Sequence, residues 1–144
     1  MNSNGANQGE QLILRSQMSE LAQVPTWIER LAVRDSIPND TQFAIDLCLE
    51  EVLSNIVRHG YAGNPDHTII IQYAKLPDNS INFVIEDEAP PFNPLEAKEP
   101  EAAPSLEELQ PGGQGIHLVR QFAQSLKYES KSNGNRLSIG FAAS

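Results

Sequence analysis

The stretch from Asn39 to Tyr61, NDTQFAIDLCLEEVLSNIVRHGY, decides how the rest of the chain is read. Ile45, Cys48, Leu49, Val52 and Ile56 fall within one stripe at about 100° per residue, the spacing of a helix that faces a core. Asn39 or Asp40 offers a capping oxygen at its start, and Gly60 supplies the permissive backbone on which helices stop. Glu51, Asn55 and His59 recur every four residues and stack along one side of the stripe. A carboxylate and a carboxamide one turn apart can act as a general base beside an oxygen ligand for a hard cation such as Mg²⁺. The same pair also occurs on solvated helix edges, so the chemistry needs support from elsewhere in the chain.

Size and composition narrow the classes. The 144 residues, 40% of them hydrophobic, fit a single globular domain over 10–144, behind a polar, Asn- and Gly-rich disordered start at 1–9. No apolar run approaches the ~20 residues of a membrane span and no basic-then-apolar leader opens the chain, which predicts a cytoplasmic protein without a membrane partner. Nineteen acidic residues against ten basic ones leave a net charge of −9. That balance argues against a nucleic-acid backbone as partner and favours a basic protein surface. Cys48 lies in the apolar stripe and reads as core. His59, His67 and His117 have no metal-ligand spacing.

The flanking segments supply the layers. Leu12 to Leu14 predict a first strand. Leu21, Val24, Ile28 and Leu31 keep helical spacing to about Arg34, with Pro25 either kinking that helix or starting it. HTIIIQYAK reads as a strand with apolar residues on both faces, and INFVIED, alternating at Ile81, Phe83 and Ile85, as its hairpin partner. Between Ala89 and Gly113 periodicity dissolves into a proline-rich stretch with the character of a lid. Ile116, Val119, Phe122 and Ala123 mark a helix starting out of GGQG. Leu126, Tyr128, Ser130 and Leu137, Ile139, Phe141 alternate around an Asn133-Gly134 turn, a closing hairpin. The order β α α β β α β β is not a βαβ series. It predicts a two-layer α/β (α+β) sandwich with a mixed, mainly antiparallel five-stranded sheet and three helices on one face.

Two further motifs carry chemistry. Asp87 ends a strand, where a carboxylate can accept a hydrogen bond from an exocyclic amino group, although Asp there is also a common turn former. Gly112, Gly113 and Gly115 precede a helix, where backbone N–H groups and the helix dipole can hold phosphate. With EEVLSNIVRHGY they resemble the three boxes of the GHKL ATPases, and more closely those of the small bacterial anti-sigma-factor serine/threonine kinases. Glu51, Asn55, His59, Gly60 and Tyr61 match the first box, and Asp87, Phe92, Asn93 and Pro94 the second, with Ala89 where the family has glycine. GGQGIHLV matches the third, and the ending Tyr128-Glu129 with Gly134-Asn135-x-Leu137 also fits. The resemblance spans about Leu12 to Phe141.

The resemblance implies the Bergerat ATP-binding fold and a kinase layout with ATP and Mg²⁺ as cofactors. Glu51 would be the catalytic base and Asn55 the metal ligand. His59, Asp87, Gly112, Gly113, Gly115 and Asn135 would join Asn55 in holding the nucleotide beneath a lid at about 89–113. It also implies a STAS-type anti-sigma antagonist as substrate, a sigma factor as sequestered partner, and homodimers. A family kinase is expected to carry a basic residue near the γ-phosphate. Between Phe92 and Gly112 the chain offers only Lys98, which leaves Arg58 or Arg120 as substitutes, or a nucleotide-dependent binding switch with little catalysis.

Overall fold

The computed structural model describes residues 9–61, 64–90 and 115–142. The expectations for Gly112, Gly113, Phe92 to Pro94, most of the lid and nearly all of the N-terminal segment therefore lie outside the described residues. The elements are β1 (Glu10–Arg15), α1 (Gln23–Asp35), α2 (Asn39–Asn55), β2 (Thr68–Lys75), β3 (Ile81–Asp87), α3 (Gly115–Phe122), β4 (Ser125–Lys131) and β5 (Gly134–Phe141). The sheet order is β1-β2-β3-β5-β4, and all four neighbouring pairs are antiparallel. The parallel pairing that a mixed sheet allows is thus not used among the described strands.

Alternation assigns the faces. Ile69, Ile71 and Tyr73, then Ile81, Phe83 and Ile85, then Leu137, Ile139 and Phe141 are buried on the face that meets the helices. Trp27 of α1 meets Phe83 edge-on with ring centroids 6.2 Å apart. On the opposite face β3, β4 and β5 carry ions: Arg136 bonds Glu86 at 2.6 Å and Glu129 at 3.3 Å, and Lys131 lies 3.7 Å from Glu86. The outcome is an α+β two-layer sandwich with α2 packed against both α1 and α3.

α2 is the centre of the helical layer. The predicted stripe Ile45, Cys48, Leu49, Val52 and Ile56 is buried throughout. Burial pushes the Cys48 thiol up to about 12, so it stays a neutral packing group. Two expectations about the helix ends need correction. Pro38 occupies the N-cap, without any side-chain cap, while Asn39 and Asp40 are the first helical residues. The fixed φ of proline sets the entry, and Asp40 serves the helix through its charge in the first turn. At the other end Gly60 does not stop an α-helix. The chain passes into one π-turn, Ile56–Gly60, closed by the Tyr61 N–H on the Ile56 carbonyl at 2.9 Å. Ahead of α1, a 3₁₀ turn at Met18–Ala22 leads into the helix, so Pro25 sits inside the first α-turn, where its missing N–H has no intrahelical partner to lose.

Candidate functional site

The last turns of α2 present the first group of candidate residues. Glu51 is half-buried and Asn55 is 6% exposed, although both are polar. Glu51 Oε2 and Asn55 Oδ1 are buried without a hydrogen-bond partner among the described residues. Buried acceptors in native proteins are normally paired, so these two oxygens, one helical turn apart, are the candidate ligand-facing atoms of α2; Asp46 Oδ1, earlier on the same helix, is a third buried oxygen without a partner among the described residues. Burial pushes the Glu51 carboxyl above the usual carboxylate range; neighbouring Glu50 adds to this and Arg58 opposes it. A carboxyl raised in this way is a stronger base than an exposed one. The π-turn spends five residues where an α-turn spends four, so His59 no longer repeats the Asn55 position and is exposed.

The end of β3 supplies the second group. Asp87 is 5% exposed and pairs in register with Asn135 of β5. Its Oδ1 accepts from Asn135 Nδ2 at 2.8 Å and from the Ala89 N–H at 2.9 Å. Burial pushes the Asp87 carboxyl up, while these two donors and the charge of Lys131 pull it back. Asn135 is itself buried, at 4% exposure. Its Nδ2 also reaches the carbonyls of Ala89 and Pro90, and its Oδ1 accepts the Tyr128 hydroxyl. The Gly134 requirement is steric: with φ at +151°, a Cβ there would lie 1.9 Å from the Asp87 carbonyl oxygen.

Two contacts join these groups. The Tyr61 hydroxyl, just beyond the π-turn, accepts the Glu88 N–H at 2.6 Å and donates to the Thr68 carbonyl at 3.1 Å. A Cβ on Gly60 would lie 3.2 Å from the Ala89 Cβ, so the methyl at 89 fills space that glycine at 60 leaves open. Ala89 is buried there at 3% exposure, packed against the end of the first motif. Gly115, the last glycine of the third motif, opens α3, which lies against α2.

Comparison with known proteins decides the family. Residues 14–141 match the model of the histidine kinase-like ATPase domain. The chain belongs to that family. It is 32% identical over 114 residues to the serine/threonine-protein kinase BtrW of Bordetella bronchiseptica, covering 78% of this chain and 79% of the relative. It is also similar to the anti-sigma F factor of Heyndrickxia coagulans, at 21% identity over 62% of this chain and 60% of that protein. Among solved structures, the RsbU and RsbW domains of a Mycobacterium tuberculosis protein superpose with a TM-score of 0.66 at 13% identity, over 92% of this chain and 32% of that one. A blue-light activated histidine kinase of Erythrobacter litoralis superposes at 0.55 with 17% identity, over 85% of this chain and 40% of the kinase. These structural likenesses establish the fold.

The donor set fits a nucleotide with a metal ion. Among the described residues no group of three His, Cys, Asp or Glu could hold a metal by itself. One carboxamide oxygen beside a carboxylate suits Mg²⁺, which takes few protein ligands and completes its shell with phosphate and water. What sequence reasoning missed is Tyr128 as a partner of Asn135 and Tyr61 as the bolt between the first two motifs. The cross-strand register carries the first, since Ser130 pairs with Asn135 and Tyr128 with Leu137, which makes Tyr128 and Asn135 diagonal neighbours. No local signal carries the second. Among the described residues no helix is long and apolar enough to cross a membrane.

Proposed function

We propose that this chain is an ATP-binding serine/threonine-protein kinase of the anti-sigma-factor kind, which phosphorylates a STAS-type antagonist and sequesters a regulatory partner such as a sigma factor. The observation that carries the reading is the pair of orphaned oxygens on Glu51 and Asn55, in a chain of the histidine kinase-like ATPase family similar to a serine/threonine kinase. In this reading Asn55 Oδ1 would hold Mg²⁺, which would supply neutralisation of phosphate charge when bound. Glu51, its carboxyl raised by burial, takes the proton of the incoming seryl or threonyl hydroxyl. Asp87 accepts from the adenine 6-amino group through Oδ2, since both of its N–H donors fall on Oδ1. Gly112, Gly113 and Gly115 offer backbone N–H groups to the phosphates. His59 and Asn135 complete the nucleotide site, and the acidic surface favours a basic partner.

The test is calorimetric titration with ATP, with and without Mg²⁺, for the wild type and Asn55→Ala. Mg²⁺-dependent binding that the variant loses supports the reading, and absence of any binding overturns it. Phosphate transfer to a STAS protein then separates kinase from switch. The second reading, a nucleotide-dependent binding switch with little catalysis, is favoured by one feature: Lys98 is the single basic residue between Phe92 and Gly112. Partner affinity that differs between ATP and ADP, with no phosphoprotein formed, is its signature.

A further inference from the structure

We infer that Tyr128 and Asn135 are positioning residues for base selection: Tyr128 holds the Asn135 carboxamide, whose nitrogen fixes Asp87 as an acceptor toward a 6-aminopurine. The inference deepens the role of Asn135 and rests on the reading of Asp87 as the adenine contact.

The geometry leaves the carboxamide one orientation. Asn135 Nδ2 carries two hydrogens and faces three oxygens: Asp87 Oδ1 at 2.8 Å, the Ala89 carbonyl at 3.2 Å and the Pro90 carbonyl at 3.3 Å. Oδ1, at the other end, accepts from the Tyr128 hydroxyl. A reversed amide would set its oxygen against three acceptors, with no hydrogen available from two carbonyls. The nitrogen is therefore committed to protein oxygens, and Asn135 acts on a nucleotide through Asp87. It also ties Ala89 and Pro90 to β5, so the carboxylate and the backbone that follows it are held by one side chain.

The consequence is chemical. A carboxylate whose Oδ1 already takes two N–H donors remains an acceptor at Oδ2. It accepts from a 6-amino group and repels a 6-oxo group, whose oxygen is also an acceptor. A neutral carboxyl would reverse that preference, because its hydroxyl can donate to a 6-oxo group. Burial favours the neutral form, and the Asn135 amide and the Ala89 N–H oppose it. Of the charged groups nearby, Lys131 at the end of β4 favours the carboxylate and Glu88 opposes it, while Tyr61 holds the Glu88 N–H. Glu86 and Arg136 pair with each other on the opposite sheet face.

The experiment compares equilibrium binding of non-hydrolysable ATP and GTP analogues, with Mg²⁺, to the full chain and to Asn135→Ala, Tyr128→Phe and Asp87→Asn, between about pH 6 and pH 8. The wild type is expected to prefer the ATP analogue by a ratio that is flat in pH. Asn135→Ala should lower that ratio roughly tenfold, and further as pH falls. Tyr128→Phe keeps the ring, and so the packing of β4, and should lower the ratio about threefold. In nucleotide-free protein the ¹³C signal of the Asp87 carboxyl should titrate higher in both variants. Wild-type ratios and wild-type Asp87 titration in Tyr128→Phe and in any folded Asn135→Ala, with preference lost in Asp87→Asn, would overturn the positioning role alone. A wild type without preference, or an Asp87→Asn variant that keeps it, sinks the base reading first and this inference with it.

Discussion

Around Asp87 the buried polar groups are paired: a carboxylate, a carboxamide, a tyrosine hydroxyl and three backbone groups share one network. At the end of α2, on the other side of the Gly60–Ala89 contact, the buried oxygens of Glu51 and Asn55 have no partner among the described residues. The first region is paired by folding. In the proposed reading the second is completed by the metal and phosphate of a bound nucleotide. A base can be recognised by a rigid, prebuilt acceptor, whereas a metal–phosphate group needs oxygens whose lone pairs are still available. Leaving them unpaired costs folding free energy, of order 1–3 kcal/mol for each fully buried atom, which ligand binding can recover.

This contrast can be broken first by chemistry. Glu51→Ala is expected to lower phosphate transfer by about 10²–10⁴ while ATP affinity changes far less, read by radiolabelled phosphate on the acceptor protein. Transfer at the wild-type rate would remove Glu51 as the base and leave its orphan oxygen without a purpose. Next comes backbone fit at the paired end. Gly134→Ala should cost roughly 3 kcal/mol or more of stability, since the new methyl collides with the Asp87 carbonyl and the local φ is strained for any L side chain. Denaturant unfolding measures it, and a near-neutral effect would show that β5 can shift away from β3.

At the unpaired end the sign should reverse. Glu51→Gln is expected to stabilise the nucleotide-free protein by no more than about 1 kcal/mol, because solvent screens this half-buried carboxylate. Thermal melts with and without ATP would show the gain shrinking when ligand is present. The pH dependence follows from the same groups. Glu51 and Asp87 have carboxyls raised above the usual range, so the folded protein binds their protons before the unfolded chain does. Their stabilisation is fully present below the unfolded pKa and is lost as pH rises through the folded one. Glu10 and Asp35 are held low, chiefly by hydrogen bonds from Arg30 and Arg34 respectively, and lose their contribution as pH falls through their depressed values. Stability should therefore rise as neutral solution is acidified toward the usual carboxylate range and fall below it. Glu51→Gln should flatten the rising limb. Tyr73→Phe, which removes a 2.6 Å bond to Asp35 and touches neither group, is expected to cost about 1 kcal/mol, read by denaturant unfolding.

Periodicity in the sequence determined the elements, their order and the buried face of each strand, because side-chain burial repeats every second residue in a strand and every three to four in a helix. The carboxylate and carboxamide of α2, the aspartate that ends β3 and the glycines that lead into α3 were legible for the same reason, since each motif is local to one element. Three things were decided only by tertiary structure. The π-turn at Ile56–Gly60, which takes His59 off the line of Glu51 and Asn55, depends on how the end of α2 meets Tyr61 and Ala89. The absence of any parallel pair among the described strands depends on where β5 inserts, between β3 and β4. The Tyr128–Asn135–Asp87 chain joins residues up to 48 positions apart that share no local pattern. Hydrogen bonds between strands depend on register, and register is fixed by how the whole sheet covers its helices.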